Sequence, residues 1–324
     1  MEDGGFAVET EVGTAYSFHV LMVDISNAYE HRSMSRPIPP HAYFVGSAVF
    51  HYLGPAFAVL LFASVQPLGV AWLRIATAAA IFALWRRPWR VFAQVATSTR
   101  RTVVGWGAVL AVMNSAFYLA IERLPLGTVA AIEFLPVIAL AAVAARTWRN
   151  GAALVSAVVG VYLLTDASFV ADPLGLTFAA TNAALFAAYI VLAHRVAADP
   201  AVSGIDGLAL AMIVAAAVGL PIGFVDASPA LTDPVLLPAA VGVGVSSSVI
   251  PYVCDQLAMT RLARATYSLM VSLLPATATV VGIVVLSQLP AVMEVVGVAL
   301  VIGGVALHQE RVVGPEPVPE RTEA

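Results

Sequence analysis

Charge is scarce in this chain. Only 11% of its 324 residues are Asp, Glu, Lys or Arg, and lysine is absent altogether. A soluble domain carries about a quarter charged residues, so the composition excludes an ordinary water-exposed globule. One cysteine, Cys254, is present, which excludes a disulfide within the chain and a thiolate metal cluster. The sequence also lacks a phosphate-cradling glycine loop, a metal-ligand spacing of His and Asp, and a serine flanked by glycines between strand and helix. These absences argue against an enzyme and leave no cofactor or metal to expect. The net charge of −4 sits in tails and loops rather than in a patch, so nucleic acid is not an expected partner.

Apolar sequence makes up the rest: 60% of the residues are hydrophobic. Runs long enough to approach the roughly 20 residues of a membrane helix fall at 42–64, 67–85, 102–121, 126–145, 150–165, 173–193, 204–224, 235–258, 265–286 and 290–308. The fifth is the shortest. Residues 1–41 contain Glu2, Asp3, Glu9, Glu11, Asp24 and Glu30 and close on Arg36-Pro37-Ile38-Pro39-Pro40. They lack the basic start and apolar stretch of a secretory leader and are expected to form a disordered cytoplasmic tail, with Met34 as an alternative start. Residues 309–324 are expected to form a second disordered tail.

Arginine placement predicts orientation, because basic loops are retained in the cytoplasm. Arg86, Arg87, Arg90, Arg100, Arg101, Arg146, Arg149, Arg195, Arg261 and Arg264 fall on one side, together with Arg32, Arg36, Arg311 and Arg321 in the tails. The other side holds Arg123 alone, and Arg74 lies within a span. Both termini are therefore expected in the cytoplasm, which requires an even number of spans.

A short internal echo points to duplication. Leu119-Ala120-Ile121-Glu122-Arg123-Leu124 followed by Pro136 resembles Leu257-Ala258-Met259-Thr260-Arg261-Leu262 followed by Pro275. The predicted fold is all-α and polytopic: ten transmembrane helices in two inverted five-helix repeats, 42–166 and 173–308. Inverted repeats are how many secondary transporters build two interchangeable states around a central site.

Ionisable groups inside a bilayer are costly and become functional candidates by default. Arg74 and Glu133 lie deep in their spans, each about 10 Å from the outer end, and Asn114 reaches a similar depth. One reading gives Glu133 a substrate ammonium or the coupling proton and Arg74 a carboxylate; the other is a structural Arg74–Glu133 ion pair. His51, near mid-membrane, is a further titratable candidate. Pro55, Pro136, Pro251 and Pro275 are expected to break their helices along a cavity, since freed carbonyls must face protein or water. Ser246, Ser247, Ser248 and Ser272 supply neutral hydrogen-bonding groups, which more often serve helix packing. Tyr118, Tyr189 and Tyr252 are expected in belt or core positions, with gating as the alternative. Trp85, Trp89, Trp106 and Trp148 read as interfacial anchors, and Gly303-Gly304 as a packing notch.

The segments Met113-Asn114, Phe117-Tyr118-Leu119, Pro125-Leu126-Gly127 and Glu133-Phe134 resemble the threonine and homoserine exporter branch of the EamA-type drug/metabolite transporters. Gly69-Val70, Leu73-Arg74, Pro88-Trp89-Arg90, Pro251-Tyr252 and Thr260-Arg261-Leu262 are similar to that branch as well. The resemblance spans roughly 42–308. It implies a central cavity, efflux of amino acids or related metabolites, and weight on Arg74, Asn114, Tyr118 and Glu133. It also draws attention to Asp255, where the pattern carries an acidic residue. Two positions depart: only Leu135 separates Phe134 from Pro136, and Leu274 stands where the branch has a carboxylate. The second departure weakens threonine or homoserine as the substrate.

The expected function is gradient-driven export of amino acids or related metabolites across a bacterial inner membrane by alternating access. The expected partners are the lipid bilayer and a small zwitterionic substrate, with a homodimer allowed. A broad exporter of hydrophobic or cationic compounds and a non-transporting scaffold or lipid-handling protein are the competing readings.

Overall fold

The computed structural model describes residues 39–136, 139, 147–167, 172–197, 199, 201–259, 261–262, 270 and 273–307. Ser272 and the two tails lie outside the described residues. Every regular element among the described residues is helical. The elements are α1 (Pro40–Leu61), α2 (Pro67–Arg86), a single turn α3 (Trp89–Phe92), α4 (Thr97–Ile121), α5 (Leu126–Glu133), α6 (Trp148–Ala167), α7 (Pro173–Ala197) and α8 (Gly204–Thr232). There follow α9 (Leu236–Gly244), a π-helix (Val245–Val249) that runs straight into α10 (Ile250–Met259), then α11 (Leu274–Leu286) and α12 (Val292–Leu307). Among the described residues six helical stretches are long and apolar enough to cross a membrane, and α11 and the apolar part of α12 are shorter.

The boundaries depart from the apolar runs in three places, each with a local cause. The short fifth run is the core of a full 20-residue helix, α6. The fourth run is interrupted after Glu133, where Phe134 is a turn residue; Pro136 has no N–H for the Ile132 carbonyl four residues earlier. The seventh run continues through Pro221 and Pro229 to Thr232. Trp72 Nε1 donates to the Ala216 carbonyl at 3.0 Å, one residue before the Ala217 carbonyl that Pro221 leaves without a helical donor.

Apolar residues face outward as well as inward: Leu84, Val225, Val284 and Leu289 are all largely exposed, as a lipid solvent allows. Without a hydrophobic drive between helices, close approach depends on small residues. A Cβ on Gly54 of α1 would stand 2.3 Å from Ser247 Cβ of the π-helix. Gly304 of α12 meets the Ala153 carbonyl of α6, whereas Gly303 faces open space, so the notch is built from one glycine of the pair. Trp89 and Trp148 are exposed, as anchors should be, but Trp106 is buried at 4% exposure.

Candidate functional site

A cavity of about 520 Å³ lies between α1, α2, α4, α5, α7, α8, α10 and the start of α11. Arg74, Asn114 and Glu133 all line it, joined by His51, Pro55, Tyr252 and Asp255. Five helices that are distant in sequence thus bring most of the polar candidates to one space. Tyr118 is fully buried and lies beside the cavity wall, its ring 5.7 Å from the Arg74 guanidinium carbon. Pro251 and Pro275 are buried in the helix packing and Pro136 is half-buried; these three do not line the cavity. Their carbonyls are occupied elsewhere in two cases: Ser47 Oγ donates to Pro251 O at 3.1 Å and Thr279 Oγ1 to Pro275 O at 2.9 Å.

Arg74 is 6% exposed and is held by three neutral acceptors among the described residues. Its Nε donates to Ser248 Oγ at 2.8 Å, Nη1 to Asn114 Oδ1 at 2.6 Å and Nη2 to Ser247 O at 3.1 Å. Asn114 is oriented in turn by donating from Nδ2 to Leu110 O at 2.8 Å. Pro251 explains the Ser247 carbonyl, because proline cannot donate to the residue four before it. The π-helix at 245–249 accommodates this register change, as such bulges often do at functional sites. The serines therefore do more than pack helices.

Glu133 is 8% exposed, and its Oε1 accepts from Asn182 Nδ2 of α7 at 3.2 Å. No cation of a described residue lies within 4 Å of its carboxylate; the ion pairs found are Arg86–Asp206, Arg123–Glu122 and Arg123–Asp172. The Arg74–Glu133 ion pair does not form, since neutral donors and acceptors satisfy each group separately. Asn182 is 1% exposed and its Oδ1 has no partner among the described residues. Buried polar atoms are rarely left so, and this one lines the cavity. Sequence reading passed over Asn182, although an amide within an apolar run was the same signal that singled out Asn114.

The cavity runs from this polar group to Ser203 and Gly204, at the end of the bundle carrying the α7–α8 connection. Trp106 and Tyr189 line that stretch; this corrects the reading of Trp106 as an anchor and puts Tyr189 on the cavity wall rather than in a belt at the lipid interface. The opposite end is filled by packed apolar side chains, including Val65, Ile121, Leu124, Leu126 and Ala230. Among the described residues no three His, Cys, Asp or Glu side chains converge to hold a metal.

Comparison with known proteins bears on this geometry. The EamA-like transporter family matches residues 173–308. The threonine/homoserine exporter RhtA of Salmonella typhimurium strain LT2 is 34% identical over 239 residues, 72% of this chain and 79% of its own length. The protein of the same name from Escherichia coli strain K12 is 32% identical over the same extent. One solved structure superposes with a TM-score of 0.53 at 18% identity over 83% of this chain and 97% of its own, a likeness of fold alone.

Proposed function

Because the chain belongs to the EamA-like transporter family, in its threonine/homoserine exporter branch, we propose that it exports amino acids by alternating access across a bacterial inner membrane. The observation that carries this reading is the pair of opposite charges sharing one cavity without neutralising each other. Arg74, with Asn114, offers N–H donors to a carboxylate; Glu133, with the open Asn182 Oδ1, offers acceptors to an ammonium. A zwitterion satisfies both. Glu133 would also take the coupling proton once the substrate has left.

Packing supports ten spans in two inverted repeats. Gly107 of α4 is tight against Val214 of α8, and Gly244 of α9 is tight against Thr77 of α2. Gly107 to Gly244 and Thr77 to Val214 are one and the same sequence offset, so each contact is the other's repeat-related copy. With the termini in the cytoplasm as the arginine bias directs, Ser203 and Gly204 lie on the cytoplasmic side, and the cavity is open inward and packed shut outward. That is the state ready to load an exported substrate.

The aromatic lining favours a broad exporter of lipophilic cations, but a buried arginine with no ion-pair partner among the described residues repels such cargo. Counterflow of labelled amino acids in proteoliposomes tests the proposal. Zwitterions should exchange and lipophilic cations should not compete; the reverse result would replace this reading with the alternative.

A further inference from the structure

Four aromatic rings form one continuous wall of the cavity, and it begins at the polar site. Asn182, Phe186 and Tyr189 recur at the spacing that puts side chains on one helix face, and all three line the cavity. Phe186 and Tyr189 stack with centroids 6.1 Å apart and planes within 8°. Phe134, next to Glu133, meets Phe186 edge-on at 6.2 Å, and Trp106 meets Tyr189 at 5.5 Å from α4. At 1.5 Å per residue, the stretch from Asn182 to Tyr189 rises about 10 Å. An amino acid whose ammonium sits between Glu133 and Asn182 therefore has ring faces within reach of its side chain.

Resting on the assignment of Glu133 and Arg74 as the head-group site, we infer that this wall is the side-chain subsite and that the substrates are neutral amino acids with apolar or aromatic side chains. A hydroxylated side chain such as that of threonine gains little here. A hydroxyl desolvated against the Phe134 and Phe186 rings, which lie next to the head-group site and carry no polar atom, loses its water partners there, whereas an apolar side chain gains with every area of surface withdrawn from water. Size argues the same way: ligand pockets of about 300–1,000 Å³ enclose far larger molecules than an amino acid with a two-carbon side chain such as threonine. Leu274 contributes a further apolar surface to the cavity.

The test is counterflow in proteoliposomes with labelled leucine, phenylalanine, alanine and threonine. In the wild type, competition by alanine, norvaline and norleucine should strengthen about fourfold per added methylene. Phe186→Ala and Tyr189→Ala should raise the KM for leucine and phenylalanine about tenfold or more, and that for alanine less than about threefold. Should both variants fail to fold, the wild-type series still decides. A flat series, or threonine preferred over leucine, overturns this inference while leaving amino-acid export standing. Absence of counterflow for every amino acid removes both.

Discussion

Arg74 Nη2 donates to the Ser247 carbonyl at 3.1 Å, and that carbonyl stands four residues before Pro251, which has no N–H to offer it. A proline in α10 thus creates the acceptor that positions a cation of α2. The guanidinium fork spans three acceptors on two helices, an arrangement that a point-like ammonium cannot reproduce. Arg74→Lys keeps the charge but leaves acceptors unmet, at about 1–3 kcal/mol each. A lower thermal midpoint in detergent and reduced export are the expected outcome. A lysine variant equal to the wild type in both measurements would remove the fork from the account.

Gly54 is required by the helix crossing that carries this arginine site. A methyl there meets Ser247 Cβ and backbone, while one on Gly46 of the same helix meets nothing within 4 Å. Gly54→Ala should cost about 1–3 kcal/mol through forced separation of packed helices and should lower abundance in the membrane; Gly46→Ala should leave both abundance and export near normal. Equal abundance of the two variants would contradict the packing.

The α7 start offers a pH-dependent contact outside the cavity. Asp172 accepts from Gly175 N at 3.1 Å and Leu174 N at 3.0 Å, and from Arg123 Nη1 at 3.0 Å. The backbone donors, Gly175 foremost, and the Arg123 guanidinium hold its carboxyl below the usual carboxylate range. A lowered folded value means stabilisation that is present above the unfolded pKa of about 3.9 and lost as pH falls through the folded one. Asp172→Asn should therefore unfold at a lower temperature than the wild type at neutral pH, and the two midpoints should converge in strong acid. A gap that persists unchanged in acid would show that charge is not the cause.

Topology rests on the arginine bias and on Cys254 being the sole cysteine. In a Cys254→Ala background, Gln94→Cys in the exposed stretch before α4 should react with an impermeant maleimide only after permeabilisation, and Pro234→Cys between α8 and α9 in intact spheroplasts. The opposite pattern would reverse the cavity and make this the outward-open state.

The membrane class was legible because hydropathy survives without any contact being known. Arg74, Asn114 and Glu133 were legible because each is an isolated polar group in an apolar run. Their partners were harder. Ser247 and Ser248 look like packing residues until Gly54 and the π-helix bring α1 and α2 against them, and the Ser247 carbonyl matters only because of a proline in the next turn. The alternative reading of an Arg74–Glu133 pair had nothing but similar depth behind it, and depth does not fix which faces of α2 and α5 meet. Asn182 was equally visible, but its meaning depends on α7 facing α5. Trp106 looked like an anchor because the apolar run starts at 102, whereas α4 itself begins at Thr97 and α7 and α8 pack around the ring.

Glu133 decides the mechanism, and its surroundings sharpen the test. Because its bound oxygen accepts from Asn182 Nδ2 and no arginine among the described residues pairs with it, Glu133→Gln retains volume and the Asn182 contact while removing the charge. If the charge binds ammonium or carries the coupling proton, export should collapse with insertion and abundance near normal. The double variant Arg74→Gln with Glu133→Gln separates this from hidden pairing. Groups that are not partners should show stability losses that add to within about 0.5 kcal/mol, whereas a true ion pair would make the double variant markedly more stable than that sum. Additive stability with export abolished in Glu133→Gln is the expected result. Normal export by a well-expressed Glu133→Gln protein would take the carboxylate out of the transport cycle and leave it a packing role.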